Sequence, residues 1–451
     1  MIVMTLAVLS ILKTEAQTIF WKAKITTGAY GLLNMNFNVT KTGNFYYGTT
    51  AIDAHKRVVG GVKAAFAKGS FEKDGSIMEI DSLTINEDII EGYLKFEKRK
   101  YNLKGKLQNG VIKADLIGKK TGATFGNLEA IEVQKLNKPN DYPQIFDSIV
   151  SQTENKIFRR AILEKKEWKD FVIDMKEFSK IAMDDGEFLY GFFVRGKNLP
   201  FSHFSLIGYK DEKLKYAIPG VTKPLQEVRP TLKNLEKEIC LLDIPAFNFK
   251  AVEIDTIMKE IIKINPKNLI IDLRNNQGGY MEGAMRICEY LSEKPIYGGV
   301  MLSQHYWNKN ENPPVVENYD QFKIMNESNY ELFKAEVKKG EDGLCFKTTP
   351  SKNTFKGRTY ILTSGMTAST SEPLIYALQA EKIAVIIGEK TAGAMLSMEP
   401  FQISNFTFTI PMLDYYTKDG KRLDKIGVEP DIKCSKSEAY ETAVKTIKSE
   451  K

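Results

Sequence analysis

The chain has 451 residues, 43% of them hydrophobic and 27% charged, which is the composition of a globular protein with material for a sizeable core. A disordered, collagen-like or coiled-coil chain is excluded, and the length predicts about three domains. Lys and Arg number 64 against 57 Asp and Glu. Because no block of basic residues is present, this mild excess indicates a solvated surface and no nucleic-acid partner. Only His55, His203 and His305 carry an imidazole, so a multi-histidine metal site is excluded.

The N-terminus has the pattern of a secretory signal peptide. The apolar run Ile2–Leu12 is too short to span a bilayer. Small residues follow at Thr14 and Ala16, which suits a cut before Gln17. The run has no basic residue ahead of it, and the alternative is a buried first strand or helix. We expect residues 1–16 to be removed and the protein to be exported to a periplasmic or extracellular space, without a membrane span.

Residues 17–137 are predicted to form an antiparallel β domain. Apolar and polar residues alternate from Leu33 to Val39, as in a half-buried strand. Turn signals such as Gln108-Asn109-Gly110 recur about every 10 residues, which favours a small barrel or sandwich. No catalytic pattern stands out here. We interpret His55, in a polar and loop-like stretch, as a surface residue.

Residues 138–235 are predicted to contain two helices and then strands. A proline-containing linker, Asn137–Tyr142, precedes a change of hydrophobic period from 2 to 3.6, which is the helical period. After about residue 187, the apolar runs Phe188–Val194 and Phe204–Gly208 favour strands.

Residues 236–451 are predicted to form an α/β core. The apolar run Asn268–Leu273 fits a strand that is covered on both faces. Thr359–Thr363 and Ile383–Gly388 repeat this pattern, with a helix predicted between them at Ser371–Ala380. The fold class is therefore a multidomain α+β protein with an N-terminal antiparallel β barrel or sandwich, a helical segment and a C-terminal α/β core.

Three loops of this core attract attention. Asp272–Gly279 joins a strand to a helix, and its paired glycines permit a sharp turn with exposed amides. In Thr363–Pro373, small residues precede a helix whose N-terminal amides favour an oxyanion. A serine there is also an ordinary helix cap, so this loop alone decides nothing. Leu423–Ile432 is a polar loop after a strand pair.

Together, in this order, the loops resemble the C-terminal-processing and tricorn-type serine peptidases, the tail-specific protease family. Members carry D-L-R-x-N-x-G-G, T-A-S-x-S-E, G-E-x-T-x-G and G-V-x-P-D-I. This chain matches those motifs with Asp272–Gly279, Thr367–Glu372, Gly388–Gly393 and Gly427–Ile432.

The resemblance implies a core of the ClpP/crotonase type and a peptide or unfolded protein as substrate. The residues themselves predict no cofactor and no metal, because there is no G-x-G-x-x-G or Walker-type lysine and the three histidines are dispersed. The resemblance also implies that Ser369 is the nucleophile. The oxyanion amides would come from Gly278 or Gly279 and from Thr370.

The general base departs from the processing peptidases. Where those enzymes have a lysine, this chain has Ala394, and Lys390 comes four residues too early. The tricorn-like branch instead uses a histidine preceded by a serine, with an acidic residue ahead of the last motif. By that resemblance Ser202 precedes the base His203, and Asp424 orients it, directly, through Ser202 or through a water.

Two alternatives stay open at this stage. Glu429 is the other carboxylate considered, and His305 is the competing histidine. A PDZ domain, common in relatives, does not fit the roughly 30 residues between Leu206 and Glu236.

Two functions from different classes follow. The leading one is an exported serine peptidase that forms an acyl-enzyme at Ser369. The alternative is an inactive binding protein that keeps the peptidase fold.

The cysteines form no CxxC pair, which argues against a zinc ribbon or a thioredoxin-type site, and one disulfide of undetermined pairing can form after export. They are Cys240, Cys288, Cys345 and Cys434.

Overall fold

The structure is a computed structural model that describes residues 15–59, 76–96, 99–119, 122–209, 229–236, 238–325, 335–337 and 339–450. The signal peptide was predicted over residues 1–16, of which residues 1–14 lie outside these ranges. Most of the segment used to argue against a PDZ domain, residues 210–228, lies outside them too. The domain boundaries given above stay predictions.

The N-terminal part is a closed antiparallel barrel of eight strands, as the alternating pattern predicted. The barrel closes because the first strand pairs with both the second and the eighth. Alternate residues from Leu33 to Val39 point into its core, and each is at most 2% exposed. The strands are β1 (Gln17–Thr27), β2 (Gly31–Thr42), β3 (Phe45–Thr49), β4 (Met78–Asn86), β5 (Ile89–Phe96), β6 (Arg99–Gln108), β7 (Val111–Gly118) and β8 (Thr124–Val133).

A short helix, Ala54–Val59, follows β3 and contains His55. The prediction of a loop around His55 is therefore wrong, since the backbone there is helical. The side chain of His55 lies outside what the structure describes.

Three α-helices and a 3₁₀ turn connect the barrel to the core. Their bounds are Tyr142–Lys156, Arg160–Glu164, Lys166–Ile181 and Asp185–Gly196.

The strand predicted at Phe188–Val194 is wrong, since this run belongs to the helix Asp185–Gly196. The Asp184 carboxylate caps that helix by accepting from the Glu187 amide at 3.0 Å. Nearly every residue of the helix is buried, Phe193 being exposed. A helix buried on all sides shows a continuous apolar run, which periodicity cannot distinguish from a buried strand.

A buried carboxylate, Asp185, joins the barrel and the helices to the core. One oxygen accepts from the Asn34 amide at 2.7 Å and from Asn405 Nδ2 at 2.7 Å. The other accepts from the Tyr142 hydroxyl at 2.9 Å and from Asn140 Nδ2 at 2.8 Å. Burial raises the pKa of Asp185, and these donors oppose the shift. The three parts of the chain are thus held together by one satisfied polar group.

The C-terminal core contains two sheets. One has the order β10-β11-β12-β16-β17-β20, and the other has the order β14-β15-β13-β19-β18, with β9 also paired to β19. The strands are β9 (Ser205–Gly208), β10 (Thr231–Glu236), β11 (Ile239–Asp243), β12 (Asn268–Asp272), β13 (Tyr297–Ser303), β14 (Lys323–Ile324), β15 (Gly343–Lys347), β16 (Arg358–Thr363), β17 (Ala384–Gly388), β18 (Leu396–Ile403), β19 (Phe406–Tyr416) and β20 (Ile432–Lys433).

Helices cover the sheets, and the helix predicted at Ser371–Ala380 has those bounds in the structure. Within the described ranges no helix has the length and apolar character needed to cross a membrane. All four cysteines are free thiols. The core helices are Ala251–Ile264, Met281–Leu291, Gln304–Trp307, the 3₁₀ turn Val316–Gln321, Ser371–Ala380 and Ala439–Ser449.

Candidate active site

Three loops meet at one edge of the first sheet, because β12, β16 and β17 are adjacent and parallel. Asp272 at the end of β12 lies beside Leu362 of β16, which lies beside Ile387 of β17. In open α/β sheets, ligands bind outside the carboxyl ends of such strands. The glycine pair, the serine-rich segment and the position of the missing lysine are therefore brought together here.

Ser369 lies in the turn between β16 and the helix Ser371–Ala380, with a φ of +56°. A positive φ is uncommon for a residue with a β-carbon, and it persists only where the surroundings impose it. The turn presents the Ser369 side chain to a cleft next to the helix N-terminus. This is the place where exposed amides favour a negative charge.

Glu372 holds the serine turn against the loop that follows β17. Its fully buried carboxylate accepts from the Ser369 amide at 3.1 Å and from the Gly393 and Ala394 amides, both at 2.8 Å. The Thr391 hydroxyl donates to it at 2.6 Å. Burial raises the pKa of Glu372, while these donors favour its charged form. Glu372 is thus the central polar link between the two loops.

The glycine pair passes directly beside the serine. Gly278 has a φ of +97° and Gly279 a φ of +139°, both favoured by glycine. A β-carbon at Gly278 would lie 2.5 Å from Ser369 Cβ and 3.0 Å from Ser369 Oγ. Glycine is therefore required for this close approach as well as for the backbone angle.

The amides of this loop are not equivalent. The Gly278 amide donates to Asn276 Oδ1 at 2.8 Å, so it already has an acceptor. The described residues offer no acceptor to the amides of Gly279 and Thr370. Since the Thr370 hydroxyl donates to the Gly279 carbonyl at 2.6 Å, these two residues are also tied to each other. Of the three amides predicted from the sequence, Gly279 and Thr370 are the pair left open.

His203 reaches the core because β9 pairs with β19. The Thr409 hydroxyl of β19 donates to the His203 carbonyl at 2.9 Å and accepts from the Ser205 amide at 3.0 Å. His203 itself has a φ of +58°. The ring is thereby held at the mouth of the cleft that Ser369 also lines.

Ser202 connects His203 to a buried carboxylate. Its Oγ lies 2.7 Å from His203 Nδ1, and its hydroxyl donates to Asp424 Oδ1. The Ser202 amide donates to Asp424 Oδ2 at 3.2 Å, and Asp424 is fully buried. Of the three routes considered from the sequence, the structure has the one through Ser202. Burial lowers the pKa of His203, and the charge of Asp424 opposes that shift.

Ser369 and His203 share the cleft without a direct hydrogen bond between them in the described structure. Catalytic hydrogen bonds are often long before substrate binds and shorten in the complex. The arrangement therefore provides a serine and an imidazole that line the same cleft.

The alternative residues lie elsewhere. Lys390 pairs with Glu429 at 3.0 Å on the surface, and both side chains are about half exposed. The hypothesis that Glu429 supports the base is therefore wrong. His305 is 43% exposed and pairs with Asp342 at 2.7 Å, outside the residues that line the cleft. Within the described ranges no cluster of three or more His, Cys, Asp and Glu side chains forms a metal site.

The cleft has a volume of about 650 Å³. Four of its lining side chains are methionines, and among the described residues that line it none is Asp, Glu, Lys or Arg. The lining therefore combines apolar side chains with polar ones such as Asn248, Gln277 and Ser397, beside the imidazole of His203 and the two open amides. The methionines are Met281, Met301, Met395 and Met398.

Sequence reasoning missed several residues that shape this site. Glu372 appeared only as a letter of a motif, although its place three residues after Ser369 suits a carboxylate that accepts from the turn's amides. Asn276 was not singled out, yet its buried side chain accepts from the Gly278 amide and donates to the Ile244 carbonyl at 2.8 Å. Arg422 lies two residues before Asp424 and contacts it, and it received no assignment.

Comparison with known proteins shows what the core is similar to. Residues 238–434 match the model of peptidase family S41. Over this segment the chain is similar to members of that family. The predicted resemblance is thereby confirmed for the segment that contains the four motifs.

The chain is also similar to solved structures of low sequence identity. A putative peptidase from Parabacteroides merdae is 14% identical with a TM-score of 0.47, over 68% of this chain and 97% of that one. A lipoprotein from Streptococcus agalactiae is 16% identical with a TM-score of 0.44, over 70% and 99%. The photosystem II D1 C-terminal processing protease is 15% identical with a TM-score of 0.40, over 66% and 94%. Since these scores are below 0.5, the assignment rests on the family match.

Proposed function

We propose that this protein is an exported serine peptidase that cleaves peptide bonds through an acyl-enzyme at Ser369, with His203 as general base. The observation that carries the proposal is the continuous link from Asp424 through Ser202 to His203 at the cleft of Ser369. An inactive binding protein, the alternative, would have no need of this link.

The link determines which ring nitrogen is basic. The Ser202 hydroxyl has one hydrogen and donates it to Asp424. Its oxygen must therefore accept from His203 Nδ1–H, which leaves the lone pair on Nε2. Because burial lowers the pKa of His203, the ring is neutral and able to take a proton at neutral pH.

The reaction then follows the general course of serine acyl transfer. His203 Nε2 takes the Ser369 proton while Oγ attacks the carbonyl carbon of the scissile bond. The developing oxyanion receives the amides of Gly279 and Thr370. The imidazolium, stabilised by Asp424 through Ser202, protonates the leaving amine, and a water later releases the acyl group by the same route.

Covalent labelling tests this function directly. A fluorophosphonate probe should label the intact protein once, and mass spectrometry of the digested protein should place the label on Ser369. The same preparation should cleave members of a peptide mixture. A protein that folds, binds peptides and takes up no label would support the binding-protein alternative instead.

The lining of the cleft predicts the preferred substrate side chains. Burying an unpaired charge is costly, and the described lining supplies no opposite charge. Methionine side chains are flexible and adapt to apolar groups of different shape. We expect peptides with apolar residues next to the scissile bond to exceed charged ones by about 100-fold in kcat/KM, or roughly 3 kcal/mol.

A charge placed in the cleft checks this prediction. Met398 lines the cleft and is 43% exposed. Met398→Glu should therefore improve cleavage beside basic residues at the expense of apolar ones. Val252→Glu, at a position that is 59% exposed and outside the cleft, is the matched control. An unchanged preference in Met398→Glu would count against this cleft as the substrate site.

A further inference from the structure

The proposed relay, which runs from Asp424 through Ser202 to His203, is backed by a row of three charges, of which the two carboxylates are buried. Arg422 Nε donates to Asp414 Oδ1 at 2.9 Å and to Asp414 Oδ2 at 3.0 Å. On its other side, Arg422 Nη2 donates to Asp424 Oδ2 at 3.1 Å. Both carboxylates are at most 1% exposed, and the Arg422 side chain is 19% exposed. The guanidinium therefore bridges the carboxylate that contacts Ser202 and a second one that does not.

The local fold determines this geometry. Asp414 lies near the end of β19, and an isolated bridge pairs Tyr416 with Arg422 across the following turn. Asp424 comes two residues later, so the chain returns its carboxylate to the same guanidinium. Arg422 Nη1 also lies 3.5 Å from the Pro200 carbonyl, two residues before Ser202. Arg422 thus contacts both segments that form the relay.

The number of charges matters as much as their geometry. A buried arginine with a single carboxylate forms a neutral pair, and a neutral pair does little for a neighbouring imidazolium. With Asp414 ionised as well, two negative charges face one positive charge, and one net negative charge remains. Through Ser202 this net negative charge stabilises the protonated form of His203.

We propose that Arg422 is a positioning residue for Asp424 and Ser202, and that Asp414 preserves the net negative charge which favours protonated His203 during the reaction. This inference rests on the proposed function. It assigns Arg422 and Asp414 parts in catalysis although neither lines the cleft.

The surroundings are consistent with a charge that is present at neutral pH. Burial raises the pKa of Asp414 to about 6, with Arg422 opposing the shift. The Tyr416 hydroxyl donates to Asp414 Oδ2 at 3.2 Å and also favours the ionised form. Burial alone would lower the pKa of Arg422, but Asp414 and Asp424 raise it above its ordinary value. Arg159 is another nearby cation, and its charge lowers the pKa of Tyr416.

Asp414→Asn tests the charge. Removing one negative charge disfavours the imidazolium, so the pKa of His203 should fall. The acid limb of kcat/KM should then move to lower pH by roughly 0.5–1 unit, less than the 1–3 units of a directly contacting charge. A purely structural loss would lower kcat/KM equally at every pH. An acid limb that coincides with that of the wild type would overturn the charge assignment.

Arg422→Lys tests the positioning. Lysine keeps the charge but cannot hold two carboxylates with a planar fork. We expect kcat to fall about tenfold while KM stays near its wild-type value, because Arg422 lies outside the cleft. A wild-type kcat would overturn the positioning assignment, and this milder variant keeps the inference testable if Asp414→Asn fails to fold.

Two control variants separate these effects from general loss of buried polar groups. Asp184→Asn replaces another fully buried carboxylate, and Arg57→Lys replaces an arginine that donates at 3.2 and 2.7 Å to the buried Glu187. Both should leave the pH profile and kcat unchanged. If wild-type protein is not labelled at Ser369, the proposed function fails. If it is labelled but the Asp414 and Arg422 variants behave like the wild type, only this inference fails.

Discussion

Ser369→Ala is expected to abolish peptide hydrolysis, with a fall in kcat on the order of 10⁴- to 10⁶-fold. The variant keeps the relay and the open amides of Gly279 and Thr370 but has no atom that can attack the carbonyl. Residual turnover would come from polarisation of the substrate alone. The measurement is steady-state cleavage of a peptide that the wild type hydrolyses, together with loss of fluorophosphonate labelling.

The same substitution should leave the fold intact. In the described structure the Ser369 hydroxyl has no hydrogen-bond partner, while its amide donates to Glu372 and would still do so in alanine. Serine and alanine also tolerate the φ of +56° about equally. We therefore expect a melting temperature within a few degrees of the wild type. Hydrolysis at the wild-type rate by a purified, folded variant would refute Ser369 as the nucleophile.

Much of the fold was predictable because its patterns are local. Alternation in β2 and regular turn signals predicted an antiparallel barrel or sandwich, and the apolar runs of β12, β16 and β17 predicted strands covered on both faces. The helix Asp185–Gly196 was not predictable in this way, because its near-complete burial removes the polar face that marks a helix. Its cap, Asp184, was the one local signal that indicated a helix start.

The parts of the site that lie within a sequence motif were predictable. The contacts between residues that are far apart in the sequence were not. Ser369 and the glycine pair lie in loops whose residue types follow from tight turns. Which amide stays open depends on the side chain of Asn276, which takes up the Gly278 amide. The position of Asp414 beside Arg422 depends on the turn after β19, which an isolated bridge between Tyr416 and Arg422 closes. A lone carboxylate in the otherwise uncharged strand Phe406–Tyr416 was the signal for such a buried pair.

Ser202 bridges the distance between the short side chain of Asp424 and the ring of His203. Asp424 is shorter than a glutamate, and its carboxylate is fully buried, so it contacts Ser202 and not the ring. Ser202 passes the interaction on, since a hydroxyl can donate in one direction and accept in the other. A short acidic residue is therefore compatible with an oriented imidazole, and under the proposed function His203 takes the part that a lysine at the position of Ala394 has in the processing peptidases.

His203→Ala should cost nearly as much as loss of the nucleophile, on the order of 10³-fold or more in kcat, because residues of one catalytic unit are strongly non-additive. His305→Ala is the matched control: it removes the same side chain from a 43% exposed position where the ring pairs with Asp342. We expect the control to keep nearly full activity. Fluorophosphonate labelling should slow in His203→Ala and proceed normally in His305→Ala, since attack on the probe also requires a base. The reverse result, with activity lost only in His305→Ala, would move the base to the helix Gln304–Trp307 and contradict the relay through Ser202.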